Sequence, residues 1–252
     1  TNDIKETFER TRIAGSIAAG ALDEVFKIVK AGITTNKIDK LCYEFMNDNG
    51  AYSAPLYYRG FPKSCCTSVN HVVCHGIPSE KILKEGDIVN VDVTALKDGW
   101  HGDTSKTFEI GEVSVKAKKL VKTTYEAMMK AIEIVKDGIH LGSIGATIQN
   151  HVEAQGFSVV QDFCGHGIGQ SFHKAPNVLH YGKEGEGEKI KTGMIFTIEP
   201  MINLGNYETK TLHDGWTAVT KDKSLSAQFE HTIGVTKDGY EIFTLSKNKE
   251  NH

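Results

Sequence analysis

Ile88-Val89-Asn90-Val91-Asp92-Val93-Thr94 is the stretch on which the fold turns. Side chains alternate across a strand, so Val89, Val91 and Val93 share one face and Asn90, Asp92 and Thr94 the other. An acidic residue thus stands on a polar face backed by a row of valines. The arrangement recurs in Ile195-Phe196-Thr197-Ile198-Glu199, where Phe196 and Ile198 take the apolar face and Thr197 and Glu199 the polar one. Both strands follow a Lys-x-Gly lead: Gly86 precedes Asp92, and Gly193 precedes Glu199, by the same interval.

Working outward, the matches keep their order at a separation of roughly 106 positions. Ile28-Val29-Lys30-Ala31-Gly32-Ile33 corresponds to Ile134-Val135-Lys136-Asp137-Gly138-Ile139, and Asn49-Gly50 to Gln155-Gly156. Helical spacing runs through Ile4, Phe8, Ala14, Ile17, Ala21, Val25 and Ile28 toward Gly32, then through Ile38, Leu41, Cys42 and Phe45. The second half answers with Val121, Met128, Ile132 and Val135, then Ile144, Ile148 and Val152. Asp98-Gly99, Asp214-Gly215 and Asp238-Gly239 are hairpin-turn signals. The expectation is an α+β chain with largely antiparallel sheet: one catalytic domain over 1–252, repeated internally at about 1–112 and 113–252, with a site between the halves.

Composition narrows the function. The 252 residues are 39% hydrophobic and 24% charged, and 29 Lys+Arg against 32 Asp+Glu leave a net charge of −3. No basic run marks a nucleic-acid partner. No apolar stretch approaches the roughly 18 residues of a membrane span, and residues 1–12 are charged, so the expected location is cytoplasmic. Cys42, Cys65, Cys66, Cys74 and Cys164 contain no Cys-x-x-Cys pair, which suits reduced thiols better than a disulfide framework or structural zinc.

Two further carboxylates sit like the first pair: Asp103 with Ser105 and Thr107, and Glu230 between Gln228 and Thr232. Singly, each reads as a solvated residue on an outer sheet face. Four at related positions in related halves suggest convergence, and converging carboxylates repel by roughly 1 kcal/mol at 4 Å in water, nearer 4 at an effective dielectric of about 20. Two divalent cations would cancel the four charges, and a carboxylate-rich set suits Mn, Fe or Co as well as Zn. A paired-metal centre that activates water is a hydrolytic device. His166, within Cys164-Gly165-His166-Gly167-Ile168-Gly169, offers a nitrogen ligand where flanking glycines let backbone come close. His140, His151, His180 and His213 read as structural.

Taken together, Val91-Asp92-Val93-Thr94, His101-Gly102-Asp103-Thr104-Ser105, Gly165-His166-Gly167-Ile168-Gly169, Thr197-Ile198-Glu199-Pro200-Met201 and Gln228-Phe229-Glu230-His231-Thr232 closely resemble the type I methionine aminopeptidases. The resemblance spans nearly the whole chain. It implies the pita-bread fold, two pseudo-symmetric halves around a dinuclear metal site, and removal of the first methionine from nascent polypeptides with a small second residue. By motif it implies Asp92, Asp103, His166, Glu199 and Glu230 as ligands of two divalent ions (Co, Mn, Fe, Zn or Ni), with Asp103 and Glu230 shared between them. His75, in Cys74-His75-Gly76-Ile77-Pro78, is implied to contact the scissile amide nitrogen, His173 to stabilise the oxyanion and Glu199 to shuttle the proton. Tyr58, Phe61, Cys66, His75, Phe172, His173 and Trp216 are implied to form the substrate pocket. Phe61 stands where the enterobacterial pattern has Tyr, and Pro55 where it has Cys; both bear on pocket polarity, not on the chemistry. Asn70, Val72 and Ser226 match a monovalent-cation loop for Na or K. The resemblance also implies a monomer working near the ribosome.

Two relatives of this fold class compete. Proline-specific dipeptidases usually carry a large N-terminal domain, whereas here the first catalytic motif begins near His75. Type II enzymes insert a long segment between the last two ligand motifs, yet Glu199 and Glu230 are 31 positions apart (230 − 199). A non-catalytic binding module of the same fold would have a broken ligand set, and this set is whole.

Overall fold

The computed structural model describes residues 3–251; positions 1, 2 and 252 of the expected domain lie outside them. The quoted stretch is the inner strand of a long hairpin. Ile88–Lys97 pairs antiparallel with Trp100–Glu109 over ten residues, from Ile88↔Glu109 to Lys97↔Trp100. Asp98 and Gly99 turn the corner, both with positive φ (49° and 86°), the backbone of a tight two-residue turn. Val89, Val91 and Val93 are fully buried. Each contributes roughly 1.5–3 kcal/mol by leaving water.

Helix α1 (Ile4–Ile28) lies across this hairpin, its N-terminus capped by the Asp3 carboxylate, which accepts from the backbone N–H of Lys5. Contact is so close at Gly102 that a Cβ there would sit 2.4 Å from the Gly15 nitrogen. The neighbour of Asp103 is therefore glycine because helix backbone occupies the side-chain space. α1 stops at Ile28 rather than Gly32, because the backbone turns extended at Val29 (ψ 118°); beyond it the Gly32 N–H bonds the Leu83 carbonyl. Helix α2 (Thr35–Asp48), capped by Thr34, packs beside α1 over a core of Leu22, Val25, Ile38, Met46 and the three valines.

The second half has its own core under helices α3 (Val115–Glu133) and α4 (Leu141–Glu153), with Leu120, Met128, Ile144, Phe196, Ile198 and Ile233 at its centre. Val135 lies past the end of α3 yet is buried in this core. Its main sheet has five strands in the order Tyr240–Ile242, His231–Val235, Ile195–Ile198, Gly165–Gly167 and Lys174–Val178, all antiparallel. No helix among the described residues is long and apolar enough to cross a membrane.

The two halves meet along a seam of polar pairs. Ser105 and Glu230 exchange backbone hydrogen bonds of 3.2 and 3.0 Å, and Thr232 Oγ1 accepts from the Asp103 N–H while donating to its carbonyl. Asn90 Nδ2 and Thr107 Oγ1 both donate to the Gln228 carbonyl at 2.7 Å. The polar face of the hairpin is thus covered by the other half, and Asn90, Thr94, Ser105 and Thr107 are buried rather than solvated.

Candidate active site

Asp103, on the strand Trp100–Glu109, and Glu230, at the seam, are 4% and 1% exposed. With His166 and Glu199 they bring one ligand atom each within 4.8 Å of one another. His166 Nε2 is 3.5 Å from both Asp103 Oδ2 and Glu199 Oε2, and its Nδ1 faces the Gly167 carbonyl at 3.0 Å, so Nε2 is the nitrogen aimed at the acids. Asp92 stands outside this mutual set. Its carboxyl lies against those of Asp103 and Glu230 and is pushed well above the usual range, first by burial and then by the charges of Asp103 and Glu199. Burial likewise drives Glu230 and Glu199 up.

The remaining groups answer that charge. Burial alone would lower His166, yet the Asp103 and Glu199 carboxylates raise it to about 9. Burial would raise Asp103, but His166 holds it below its ordinary value. Asp103 Oδ1 and both carboxylate oxygens of Glu230 are buried with no hydrogen-bond partner among the described residues. Buried carboxylates lacking donors are costly unless they are protonated or paired with a cation, and a His plus four acids with open lone pairs fits divalent metal.

Glu199 is held from three sides. It lies one residue past the strand Ile195–Ile198, and Pro200 follows it. Its N–H donates to His180 Nε2 at 3.0 Å, and its carbonyl accepts from Gln228 Nε2 at 3.2 Å. Thr197 Oγ1 donates to Glu199 Oε2 at 2.9 Å and accepts from the His166 N–H at 3.0 Å, linking two of the clustered residues. Glycines around His166 serve a different purpose from the one expected. A Cβ on Gly165 would meet the Thr197 carbonyl, and one on Gly167 the Ala175 carbonyl, so they admit neighbouring strands rather than exposing backbone to the site.

Above the acids opens a cavity of 340 Å³, and all seven residues expected to form the substrate pocket line it. Tyr58 Oη and His173 Nδ1 are 3.1 Å apart, and Phe172 stacks on His173 at 4.0 Å. Phe61 meets Trp216 edge to face at 5.2 Å, and His75 meets Trp216 at 6.4 Å. His75 has a left-handed backbone (φ 58°), a strained setting for a non-glycine residue. Burial lowers its pKa; burial, then the charge of His166, takes His173 down to about 4, with Arg59 adding in the same sense. Both rings are neutral near pH 7. Burial pushes the Cys66 thiol well up, which makes it an apolar sulfur wall. All five cysteines are free.

Four contributors escape a reading of the sequence. Arg59 and Thr94 line the cavity; His101 stacks on Phe172 while its Nδ1 meets the Gly169 carbonyl at 2.9 Å; His180, read as merely structural, holds the Glu199 backbone. Their signals lie in distant partners, not in spacing. Of the expected monovalent-cation residues, Asn70 and Ser226 are joined, the Ser226 N–H donating to the Asn70 carbonyl at 3.0 Å, while Val72 pairs with Val219. The Ser226 hydroxyl is buried without a partner among the described residues.

A buried acid–histidine cluster at the floor of a cleft between two mixed halves is the arrangement of a metallohydrolase. Residues 9–237 match metallopeptidase family M24. The methionine aminopeptidase of Rickettsia prowazekii (strain Madrid E) is 56% identical over 97% of this chain and 95% of its own. A crystal structure of methionine aminopeptidase from Rickettsia prowazekii matches with TM-score 0.94 at 57% identity, over 96% of this chain and 98% of that one. The Thermotoga maritima methionine aminopeptidase follows at TM-score 0.93 and 41% identity, over 95% and 96% of the two chains. The chain belongs to metallopeptidase family M24, within its methionine aminopeptidase branch, and has the pita-bread fold.

Proposed function

We propose that this cleft removes the N-terminal methionine from peptides and nascent proteins whose second residue is small. The observation that carries the reading is the cluster of buried acids with unpartnered oxygens beneath a cavity walled by aromatic rings and sulfur. Asp92, Asp103, His166, Glu199 and Glu230 hold two divalent ions, with Mn, Co, Fe, Zn and Ni all compatible with the donors. Bound there, such ions acidify water and polarise the carbonyl after the first residue.

The chain's own groups do the rest. Tyr58, Phe61, Cys66, Phe172 and Trp216 enclose the thioether side chain, for which polarizable sulfur and ring edges are suited partners. His173, kept neutral and oriented by Tyr58, donates to the carbonyl oxygen as it becomes negative. His75 meets the scissile nitrogen from the other side, and Glu199 carries a proton from the attacking water to that nitrogen as it leaves. The narrowing of the cavity toward its acidic floor between the halves limits the second residue to small side chains. Asn70, Val72 and Ser226 form a lesser site for a monovalent cation. The repeat over about 1–112 and 113–252 is read as one catalytic unit, since Asp92 and Asp103 come from one half and the other three ligands from the second.

The test is turnover of Met-Gly-x peptides by metal-stripped protein with each divalent ion returned separately. Loss on stripping and recovery with at least one ion is expected. Full activity after verified metal loss would refute the reading.

A further inference from the structure

Arg59 is the one Lys or Arg among the described residues that line the cleft, and it is exposed at the mouth while Asp103 and His166 lie buried at the floor. Its guanidinium stands 5.4 Å from the centroid of the Tyr58 ring, and its charge bears on His173. The loop that carries it is unusual. Tyr57, Arg59 and Gly60 all have positive φ (67°, 49° and 86°), and the turn is closed by the Tyr57 N–H on the Phe61 carbonyl at 2.7 Å and by the Gly60 N–H on the Tyr57 carbonyl at 3.2 Å. Two non-glycine residues in this region mark a backbone held against its preference, a pattern found at ligand-contacting loops. The cation thus stands exposed at the rim of the cleft, beside the Tyr58 ring.

On the reading above, methionine and the scissile bond occupy the buried end, so the third and following residues leave past Arg59. The acids at the floor are offset by the cations they hold, and the charge of Arg59 is left to act outward. We propose that Arg59 sets a charge preference beyond the scissile bond, favouring N-termini with an acidic side chain at the third residue or next to it. An exposed pair of this kind is weak and screened by salt, which gives an expected two- to fivefold preference.

The experiment compares kcat/KM for C-terminally amidated Met-Ala-Asp-Ala, Met-Ala-Asn-Ala and Met-Ala-Lys-Ala at low salt, with metal content matched. Amidation removes the terminal carboxylate as a rival anion. The wild type should prefer Asp over Lys by about two- to fivefold; Arg59→Lys should keep the direction, and Arg59→Glu should invert it. Arg59→Asn, which tolerates the left-handed backbone, should bring the ratio near 1 and serves if the Glu variant fails to fold. About 0.5 M NaCl should flatten the wild-type preference. An unchanged Asp/Lys ratio in folded Arg59→Asn or Arg59→Glu would overturn the role of Arg59. Failure of the wild type to cleave any of the three would instead overturn the reading of the site itself.

Discussion

The backbone N–H of Glu199 donates to Nε2 of His180 across 3.0 Å, joining a clustered carboxylate to a fully buried ring. Nε2 accepts, so the ring proton rests on Nδ1, which has no partner among the described residues. Removing a group that orients a metal ligand typically lowers metal affinity or activity by about 10- to 100-fold. His180→Ala should do so with little change in KM. His180→Gln, whose side-chain oxygen can accept the same N–H, should recover part of the loss. Metal titration beside a melting curve separates the cases: full metal retention and turnover in His180→Ala would remove His180 from this role.

The same ring should shape acid stability. Burial, then the charge of His166, lowers His180 to about 3. Because the folded pKa lies below the unfolded value of about 6.5, the unfolded chain takes up a proton that the folded chain refuses. Stability is therefore complete above about pH 6.5 and falls as pH drops toward 3, by up to ~1.4 kcal/mol per pH unit from this group. His180→Gln should flatten that limb in urea unfolding series; an identical slope in both proteins would show that other groups carry it.

His173 and His75 should separate by leaving group. Loss of an oxyanion donor lowers turnover by about 10² to 10³, so His173→Ala should lose that much on Met-Gly-x and as much on an activated Met anilide. His75→Ala should be partly rescued by the anilide, whose nitrogen needs less help. Equal rescue of both variants at matched metal content would contradict the assignment.

Phe61 and Trp216 touch edge to face, so their contributions to methionine binding should couple. Trp216→Ala should lower the preference for Met over Ala at the first position by part of the roughly 1.5–3 kcal/mol that burying the whole side chain provides. In a double-mutant cycle with Phe61→Ala the coupling should be about 0.5–1.5 kcal/mol. Strict additivity would mean that the two rings contribute to methionine binding independently of each other.

Strand alternation makes Asp92, Asp103 and Glu199 legible, because a period of two forces them onto the face opposite Val91 and Ile198 whatever the rest of the chain does. What covers that face is not legible. The shortest hydrogen bond of Asn90 Nδ2 goes to the Gln228 carbonyl, 138 positions away, so nothing local distinguishes a buried polar face from a wet one. His180 hides for the same reason: its acceptor role depends on where Glu199 arrives in space. Arg59 hides because left-handed backbone at a non-glycine residue is imposed by loop closure rather than announced by residue type.

The exchange of hydrogen bonds between Ser105 and Glu230 has an implication for any severed form of the molecule. A break in the chain between residues 109 and 115, which separates the last strand of the hairpin from α3, divides the ligands two and three, and neither fragment can build the centre alone. Each fragment nonetheless keeps most of its own apolar core, and the seam that rejoins them combines backbone and hydroxyl pairs of fixed register with smaller apolar contacts such as Phe8 against Ile195 and Val73 against Met201. Severed pieces that find each other would regain a working centre only in the native alignment, so catalysis itself reports reassembly.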